Sequence, residues 1–155
     1  MNITIATTSL HETAADILAV AVTDDNKGDV LASLDKAFDG KLLSTLTTDE
    51  FKAKAGATAS YATFGAIAAG RLIVIGMGDG DASGIQQAAG KAGSIARNHG
   101  AETVALSLGT LDESQTQIAI EGFVAGTYRF DKYKAADGKK ADVSNLTILG
   151  SASTE

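Results

Sequence analysis

The fold is decided by an apolar run that leads into a glycine-rich turn: residues 71–84 read RLIVIGMGDGDASG. Residues 72–75 are all aliphatic, which is typical of a strand that is buried on both faces of a sheet. From Ile85 onwards, apolar residues recur at intervals of three and four through Ala96, which places them on one face of a helix. A strand, a turn and a helix in this order predict one unit of a layered α/β fold.

Further strands are predicted on both sides of this unit. Ile3 and Ile5 alternate with polar neighbours, which indicates a strand with one face turned inward. Residues 58–64 alternate loosely and include the aromatic residues Tyr61 and Phe64. Three more apolar runs predict strands buried in the sheet: 17–22, 103–108 and 146–149.

Helix boundaries follow from capping residues. Asp29 is placed to cap a short helix that Gly40 would end. A Ser followed three residues later by a Gln, the capping-box pattern, predicts two longer helices that start at Ser83 and Ser114. The first of these would stop at Gly100. Buried strands that alternate with amphipathic helices predict an α/β fold with a mostly parallel or mixed sheet.

The second long helix carries Gly122 and Gly126 one turn apart. Without side chains, the two glycines leave a smooth groove on the helix surface. The spacing therefore predicts that another backbone comes close to this helix.

Composition narrows the class of protein. The 155 residues suit one domain, and 45% hydrophobic with 21% charged residues excludes intrinsic disorder. The absence of cysteine excludes disulfides, thiolate metal sites and a cysteine nucleophile. The net charge of −6 opposes nucleic-acid binding by the whole surface. No apolar run approaches membrane-helix length and no targeting segment is recognisable, so we expect a cytoplasmic chain.

The turn at 76–84 occupies the place where open α/β sheets usually bind ligands. A dinucleotide fingerprint fails, because its third glycine position holds Asp81 or Ser83, and acidic side chains repel phosphate. Asp79, Asp81 and Ser83 match the first, third and fifth ligand positions of a calcium-binding loop. The twelfth position, which should be a Glu, is Gly90. A structural strand-to-helix turn is the favoured interpretation, with the nucleotide and calcium alternatives left open.

Other residues that could carry chemistry lack their partners. Lys91 follows a glycine, but Ala92 stands where a P-loop needs a hydroxyl. His11 has no second histidine four residues on, and His99 sits at a helix end. We therefore assign no catalytic, cofactor-binding or metal-binding residue to this chain.

A basic segment stands out in the acidic chain. Residues 129–140 carry five basic and two acidic side chains, a net charge of +3, and aromatic residues are interleaved with them. Such a pattern can bind nucleic acid by stacking bases and neutralising phosphates. The favoured alternative is that Tyr128 and Phe130 pack the helix end while lysine stems cover the rim, because the acidic remainder would repel a polyanion.

Three segments in order resemble the leucyl (cytosol) aminopeptidases. They are LDKAFDG at 34–40, RLIVIGMG at 71–78, and a stretch from Glu121 that ends in GTYRFDKYK at 126–134. The resemblance implies a three-layer α/β/α domain with a mixed, mostly parallel sheet, similar to macro domains. In that family this domain precedes a catalytic domain that holds two divalent metals, Zn or Mn, and has the signature NTDAEGR, which is missing here.

The resemblance also implies how the chain is divided and what it does. We expect residues 1–150 to be the amino-terminal domain, 151–155 to be a frayed tail or the start of a linker, and the catalytic domain to be absent. Family members form hexamers, so the expected role is non-catalytic: to shape hexamer assembly and access to the active sites. Alternatives are a macro-like module that binds ADP-ribose or a related nucleotide, and DNA binding, which the net charge makes improbable.

Overall fold

A six-stranded sheet runs through the computed structural model, which describes residues 2–7, 10–109, 111–127 and 143–149. The strand order is β1-β6-β5-β2-β4-β3; all neighbours are parallel except β3, which is antiparallel to β4. This confirms the mixed, mostly parallel sheet. The strands are β1 (Asn2–Ala6), β2 (Ile17–Val22), β3 (Thr58–Ala62), β4 (Arg71–Gly76), β5 (Thr103–Ser107) and β6 (Asn145–Leu149).

Helices cover both faces of the sheet, which confirms the three-layer α/β/α architecture. One face packs against α4 (Ala82–His99) and α5 (Glu113–Thr127). The other packs against α1 (Lys27–Val30), α2 (Ala32–Ala37) and α3 (Lys41–Thr48). Among the described residues, no helix combines the length and the hydropathy that crossing a membrane requires.

Strand β2 shows why the inner strands read as continuous apolar runs. Ile17, Ala19 and Ala21 belong to the core beneath α4 and α5. The alternate residues, Leu18 and its i+2 neighbours, belong to the core beneath α1–α3. Since successive side chains of a strand point to opposite faces, a strand covered on both sides needs an apolar residue at every position.

The predicted close approach of a backbone to α5 is confirmed, and the partner is α4. A Cβ on Gly122 would lie 2.8 Å from the carbonyl oxygen of Gln86, and a Cβ on Gly126 would overlap the carbonyl of Gly90. In the opposite direction, a Cβ on Gly93 would overlap the carbonyl of Phe123. Glycines on both helices thus let the two backbones touch.

The predicted helix between Asp29 and Gly40 is divided in two. Helix α1 starts at Lys27, before Asp29, because Thr23 and Asn26 exchange side-chain hydrogen bonds with each other's backbone N–H and turn the chain early. The helix breaks at the fully buried Leu31, and α2 follows. Gly40 was predicted to end the helix, but α2 already ends at Ala37, and Asp39 (φ 59°) takes the left-handed position behind its C-cap Phe38. Gly40 (φ 76°) instead directly precedes α3.

Both capping residues predicted for the long helices were wrong, each by two positions. The Asp81 carboxylate accepts from Gly84 N (2.9 Å), so α4 starts at Ala82. At α5, Asp112 accepts from Gln115 N (2.7 Å) and the Gln115 side chain accepts from Asp112 N (3.0 Å). In both places an aspartate lies closer to the turn than the serine does and takes the capping position. The stop at Gly100 is confirmed by its φ of 68°.

Strand β1 does not bury the face that its alternation predicted. Ile3 and Ile5 are 41% and 49% exposed, although their neighbours across the ladder, Leu146 and Ile148, are fully buried. β1 is an edge strand of the described sheet, and the described helices leave Ile3 and Ile5 uncovered. Burial of an edge strand depends on how far the helices extend over the sheet. The alternation of residues within the strand carries no information about this.

Phe64 also departs from its prediction, because β3 ends at Ala62 and Phe64 lies in the following turn. Its φ is 50°, the next residue Gly65 has φ 84°, and Ala66 N donates to the Thr63 carbonyl (2.9 Å). Two positive φ values inside such a turn suit Asn-Gly far better than Phe-Gly. The phenylalanine is nonetheless 96% exposed.

We expect Phe64→Asn to raise the free energy of unfolding by about 1 kcal/mol, because asparagine adopts the left-handed conformation at lower cost. Urea denaturation measures the change. Phe64→Ala is the matched control: it removes the same ring but keeps a Cβ at positive φ. An equal gain from alanine would show that ring exposure, and not the backbone, is the source of the effect.

Candidate functional site

The glycine-rich turn lies where the sequence placed it, between the end of β4 at Gly76 and the start of α4 at Ala82. This is the carboxyl edge of the sheet, at which the parallel strands end. Gly78 and Gly80 have φ values of 64° and 77°, which glycine adopts readily. The turn needs its glycines for its own conformation.

Three backbone N–H groups of the turn are used inside the protein. Met77 N donates to Val22 O (2.8 Å), Gly78 N to Ala53 O (2.9 Å) and Gly80 N to Met77 O (3.1 Å). A phosphate-binding turn instead points such groups at its ligand. The favoured interpretation, a structural turn, agrees with this geometry.

The space next to this turn is filled by residues 51–57, referred to below as the 51–57 segment. A Cβ on Gly76 would lie 2.9 Å from the Cα of Ala53, and Gly56 N donates to the Gly76 carbonyl (3.2 Å). On the helix side, a Cβ on Gly84 would overlap the Met77 carbonyl. The glycines at both ends of the turn therefore serve backbone packing, and the 51–57 segment lies directly against the carboxyl end of β4.

The acidic residues of the turn do not form a metal site with the described residues. The carboxylate of Asp81 caps its own helix through Gly84 N. Ser83 Oγ accepts a hydrogen bond from the Gln87 side chain (3.0 Å). Within the ranges that the structure describes, no group of three or more His, Asp or Glu side chains could hold a metal ion.

Asp24 ties the loop after β2 to the 51–57 segment. Its carboxylate accepts from Ala53 N (2.9 Å) and from Lys27 Nζ (3.3 Å). The same ammonium group donates to the Phe51 carbonyl (3.3 Å) and lies 5.9 Å from the centre of the Phe51 ring. The hydrogen bond from Ala53, assisted by Lys27, holds the pKa of Asp24 below its ordinary value.

We expect Asp24→Asn to destabilise the protein at neutral pH and to lose that effect in acid. The lowered pKa of Asp24 means that its contribution is present above the unfolded-state pKa, about 4, and is lost as the pH falls through the folded-state value. Urea midpoints of both proteins between about pH 3 and pH 7 should converge at the acid end. Asp25→Asn is the control, and a difference independent of pH would contradict the assignment.

A cleft of about 520 Å³ lies at the opposite, amino edge of the sheet. It is lined by the starts of β2 and β4, at Asp16, Ile17, Gly70 and Arg71, and by residues 99–102. Its polar lining consists of the carboxylates of Asp16 and Glu102, the guanidinium of Arg71 and the imidazole of His99.

The polar groups of the cleft hold strands together. The Asp16 carboxylate accepts from Glu102 N (2.9 Å) and Thr103 N (3.2 Å), which joins the start of β2 to that of β5. Arg71 donates to Ser60 Oγ (2.9 Å) on β3. Sequence reasoning missed this cleft because no local pattern brings these separate segments together.

The structure also shows where the other candidate residues of the sequence analysis lie. Lys91 lies inside α4, His11 lies 3.9 Å from the adjacent Glu12 carboxylate, and His99 ends α4 and lines the cleft. The basic segment 129–140 and the proposed boundary at 150 lie outside the described residues. The structure thus leaves Lys91 and His11 apart and brings His99 to the cleft.

Comparison with known proteins identifies the domain. Residues 19–137 match the model of the cytosol aminopeptidase family, N-terminal domain. The chain is 34% identical over 143 residues to a probable cytosol aminopeptidase of Geobacter sp. (strain M21), which covers 88% of this chain and 29% of the relative. It is 32% identical over 132 residues to the counterpart from Geotalea uraniireducens (strain Rf4), covering 81% and 27%. It thus spans less than a third of these relatives.

Solved structures agree on the fold. A mutant of tomato leucine aminopeptidase matches all of this chain with a TM-score of 0.80 and 21% identity, over 33% of the tomato chain. A macrodomain of Thermus aquaticus DarG matches 95% of this chain and 97% of its own with a TM-score of 0.66 and 11% identity. The macro-like architecture is confirmed by these likenesses. Given the family match and the identity to its members, the chain belongs to the cytosol aminopeptidase family, as the N-terminal domain of that family.

Proposed function

We propose that this chain is the non-catalytic amino-terminal domain of a metal-dependent leucyl aminopeptidase, an enzyme that removes N-terminal amino acids from peptides. In the complete enzyme, the domain shapes hexamer assembly and access to the active sites. The observation that carries the proposal is the family match over residues 19–137.

Two features of the domain support a role without chemistry of its own. At the carboxyl edge, the 51–57 segment lies against Gly76, and the N–H groups of Met77, Gly78 and Gly80 bond within the protein. In the cleft at the amino edge, the Asp16 carboxylate accepts from Glu102 N and Thr103 N and so ties β2 to β5. Both edges at which an α/β domain could place a reaction centre therefore serve packing here.

The proposal extends to the parts of the enzyme outside this domain. Residues 1–150 form the domain, 151–155 begin a linker or tail, and a separate catalytic domain holds two divalent metals, Zn or Mn. The protein acts in the cytoplasm, where the names of its relatives place them. Its partners are its own catalytic domain and the other subunits of a homo-hexamer.

Peptide hydrolysis tests the absence of catalysis in this domain. This chain and the longest reading frame that contains it are assayed on leucine p-nitroanilide with added manganese or zinc. We expect no turnover by this chain and turnover by the longer product. Turnover by this chain alone would refute the non-catalytic assignment.

Deletion tests the role in assembly and access. Removing residues 1–150 from the longer product should lower both the hexamer fraction, measured by sedimentation velocity, and peptide turnover. A truncated enzyme that keeps its hexamer and its turnover would contradict this role.

The alternative function is binding of ADP-ribose or a related nucleotide. The likeness of the fold to a macrodomain is the observation that supports this alternative. The inward N–H groups of Met77 and Gly78 and the acidic Asp79 and Asp81 count against it. Titration calorimetry with ADP-ribose should give no binding heat, and a saturable heat would favour the alternative. A DNA gel shift should likewise be negative, given the net charge of −6.

A further inference from the structure

The cleft at the amino edge of the sheet brings together side chains of opposite charge that are not paired with each other. Its lining includes the carboxylates of Asp16 and Glu102 and the guanidinium of Arg71. In the described part of the chain, no ion pair joins Arg71 to either carboxylate. With a volume of about 520 Å³, the cleft falls within the size range of small-molecule sites. It therefore offers both room and unpaired charge to a ligand.

The sheet places the two signs of charge on different strands. Arg71 starts β4, Asp16 comes directly before β2, and Glu102 comes directly before β5. Ile17 pairs with Arg71 on one side and with Val104 on the other, so β2 lies between the other two strands. From the spacing of strands and residues, the Cα atoms of Asp16 and Arg71 lie about 6 Å apart. The cation thus lies on one side of Asp16 and the second carboxylate on the other.

Hydrogen bonds to the protein hold two of these groups in place. Asp16 Oδ2 accepts from Glu102 N (2.9 Å) and Thr103 N (3.2 Å), whereas Oδ1 accepts no hydrogen bond from the described residues. The Arg71 guanidinium donates through Nη1 to Ser60 Oγ (2.9 Å) and keeps its other N–H groups for a ligand. These bonds draw Asp16 towards β5 and Arg71 towards β3, which keeps the two charges apart. Side chains that are already held lose little entropy on binding.

The balance of charge in the cleft selects the kind of ligand. The end of α4 at His99 and Gly100 also lines the cleft, and the C-terminus of a helix carries partial negative charge. A purely anionic ligand would be repelled by two carboxylates and the helix end. A purely cationic ligand would be repelled by Arg71 and would leave it unpaired. A ligand that carries both an ammonium and a carboxylate group matches both signs.

We propose that this cleft binds a free α-amino acid as its zwitterion. The N–H groups of Arg71 bind the carboxylate of the ligand, since a guanidinium fork suits the two oxygens of a carboxylate. Oδ1 of Asp16 accepts from the ammonium group, with Glu102 as the second acceptor. The side chain of the ligand lies towards Ile17 and Ala101, the apolar side chains of the lining.

The meaning of this site depends on the proposed function, but its test does not. A free amino acid is what the proposed aminopeptidase releases, so a role of the cleft in sensing product rests on that proposal. Binding is measured on this chain alone, without peptide turnover. A failed binding test would leave the proposed aminopeptidase standing, and a longer product without turnover would leave the binding site standing.

Nuclear magnetic resonance titration of this chain with leucine at neutral pH tests the binding. We expect saturable shifts of the amide signals of Asp16, Gly100 and Glu102, with a dissociation constant of about 1 mM. N-acetyl-leucine lacks the ammonium and leucine amide lacks the carboxylate, so each should bind at least about tenfold more weakly. Equal binding of either derivative would show a site for a single charge and overturn the proposal. The absence of saturable shifts up to about 20 mM leucine would overturn it as well.

Two variants test the two ends of the ligand separately. Arg71→Gln should weaken leucine at least about tenfold but should not weaken leucine amide, which has no carboxylate. Asp16→Asn keeps an oxygen that can accept from Glu102 N and Thr103 N, and it should weaken leucine and leucine amide alike. Glu102→Gln repeats the second test with a side chain that makes no described hydrogen bond, so that folding is not at stake.

Matched variants outside the cleft separate local from general charge effects. Lys91→Gln on α4 and Glu113→Gln at the start of α5 make the same changes of charge as Arg71→Gln and Glu102→Gln. Both should bind leucine as the unchanged chain does. An equal loss of binding in Lys91→Gln and Arg71→Gln would overturn the assignment of the carboxylate to Arg71.

Discussion

Phe123→Ala is expected to lower the free energy of unfolding by about 4 kcal/mol and the melting temperature by about 10 °C. Phe123 is 0% exposed and is among the largest fully buried side chains of the protein. It projects from α5 into the core beneath α4 and α5. The loss combines the transfer energy of a phenyl ring with the cavity left in a layer whose helices cannot move closer, because their backbones already touch.

The neighbouring residue provides the control for this prediction. Val124 is on the same helix but is 43% exposed, so Val124→Ala should change the free energy of unfolding by less than about 1 kcal/mol. Urea denaturation followed by circular dichroism measures both. A loss below about 2 kcal/mol for Phe123→Ala would mean that the layer closes around the missing ring.

Gly126→Val is expected to cost about 3 kcal/mol, because overpacking at this position meets backbone only. A Cβ on Gly126 would overlap the Gly90 carbonyl and lie 2.9 Å from the Gly90 Cα. Neither atom can move aside as the end of a flexible side chain can. The two helices must separate, which loosens the contacts of Phe123 as well.

Gly28→Ala separates this clash from the general effect of removing a helical glycine. Gly28 lies in α1, and a Cβ there would meet nothing within 4 Å. Alanine at 28 should therefore raise the free energy of unfolding by about 0.5 kcal/mol. Thermal melts of the two variants give the comparison, and a Gly126→Val protein as stable as the wild type would contradict the tight crossing.

The inner parts of the fold were predictable because burial on both faces leaves a simple pattern. The runs 17–22 and 72–75 are apolar at every position, and both are buried strands. The edges were harder to predict. The alternation at Ile3 and Ile5 predicted a strand correctly but a buried face wrongly, since only the neighbouring helices determine what is covered.

The first residues of the helices could not be predicted for a different reason: several neighbouring side chains compete for the same capping position. Asp81 and Asp112 lie two positions before Ser83 and Ser114, and all four side chains are able to cap a helix. The serine-based capping box therefore found each helix but not its first residue. Tertiary contacts that fix the chain before the helix decide between such candidates.

The position of the candidate site could be predicted from the sequence, but the segment that packs against it could not. The sequence located the turn at 76–84, whereas nothing in it showed that the 51–57 segment fills the adjacent space. The sequence does show glycine at positions 76 and 84, where a side chain would strike backbone. A glycine that is needed for close packing cannot, however, be distinguished in sequence from one that is needed to bind a ligand. The family resemblance, and not site chemistry, carried the functional inference.

The two helical layers differ in a way that bears on amide hydrogen exchange. On one side, α4 and α5 have 18 and 15 residues. On the other, α1, α2 and α3 have only 4, 6 and 8, and isolated helices this short are unstable in water. The short-helix layer should therefore open as a sub-global unit while α4 and α5 stay protected. Because the 51–57 segment follows α3, such an opening would bare the carboxyl edge of β4 and leave the rest of the domain folded.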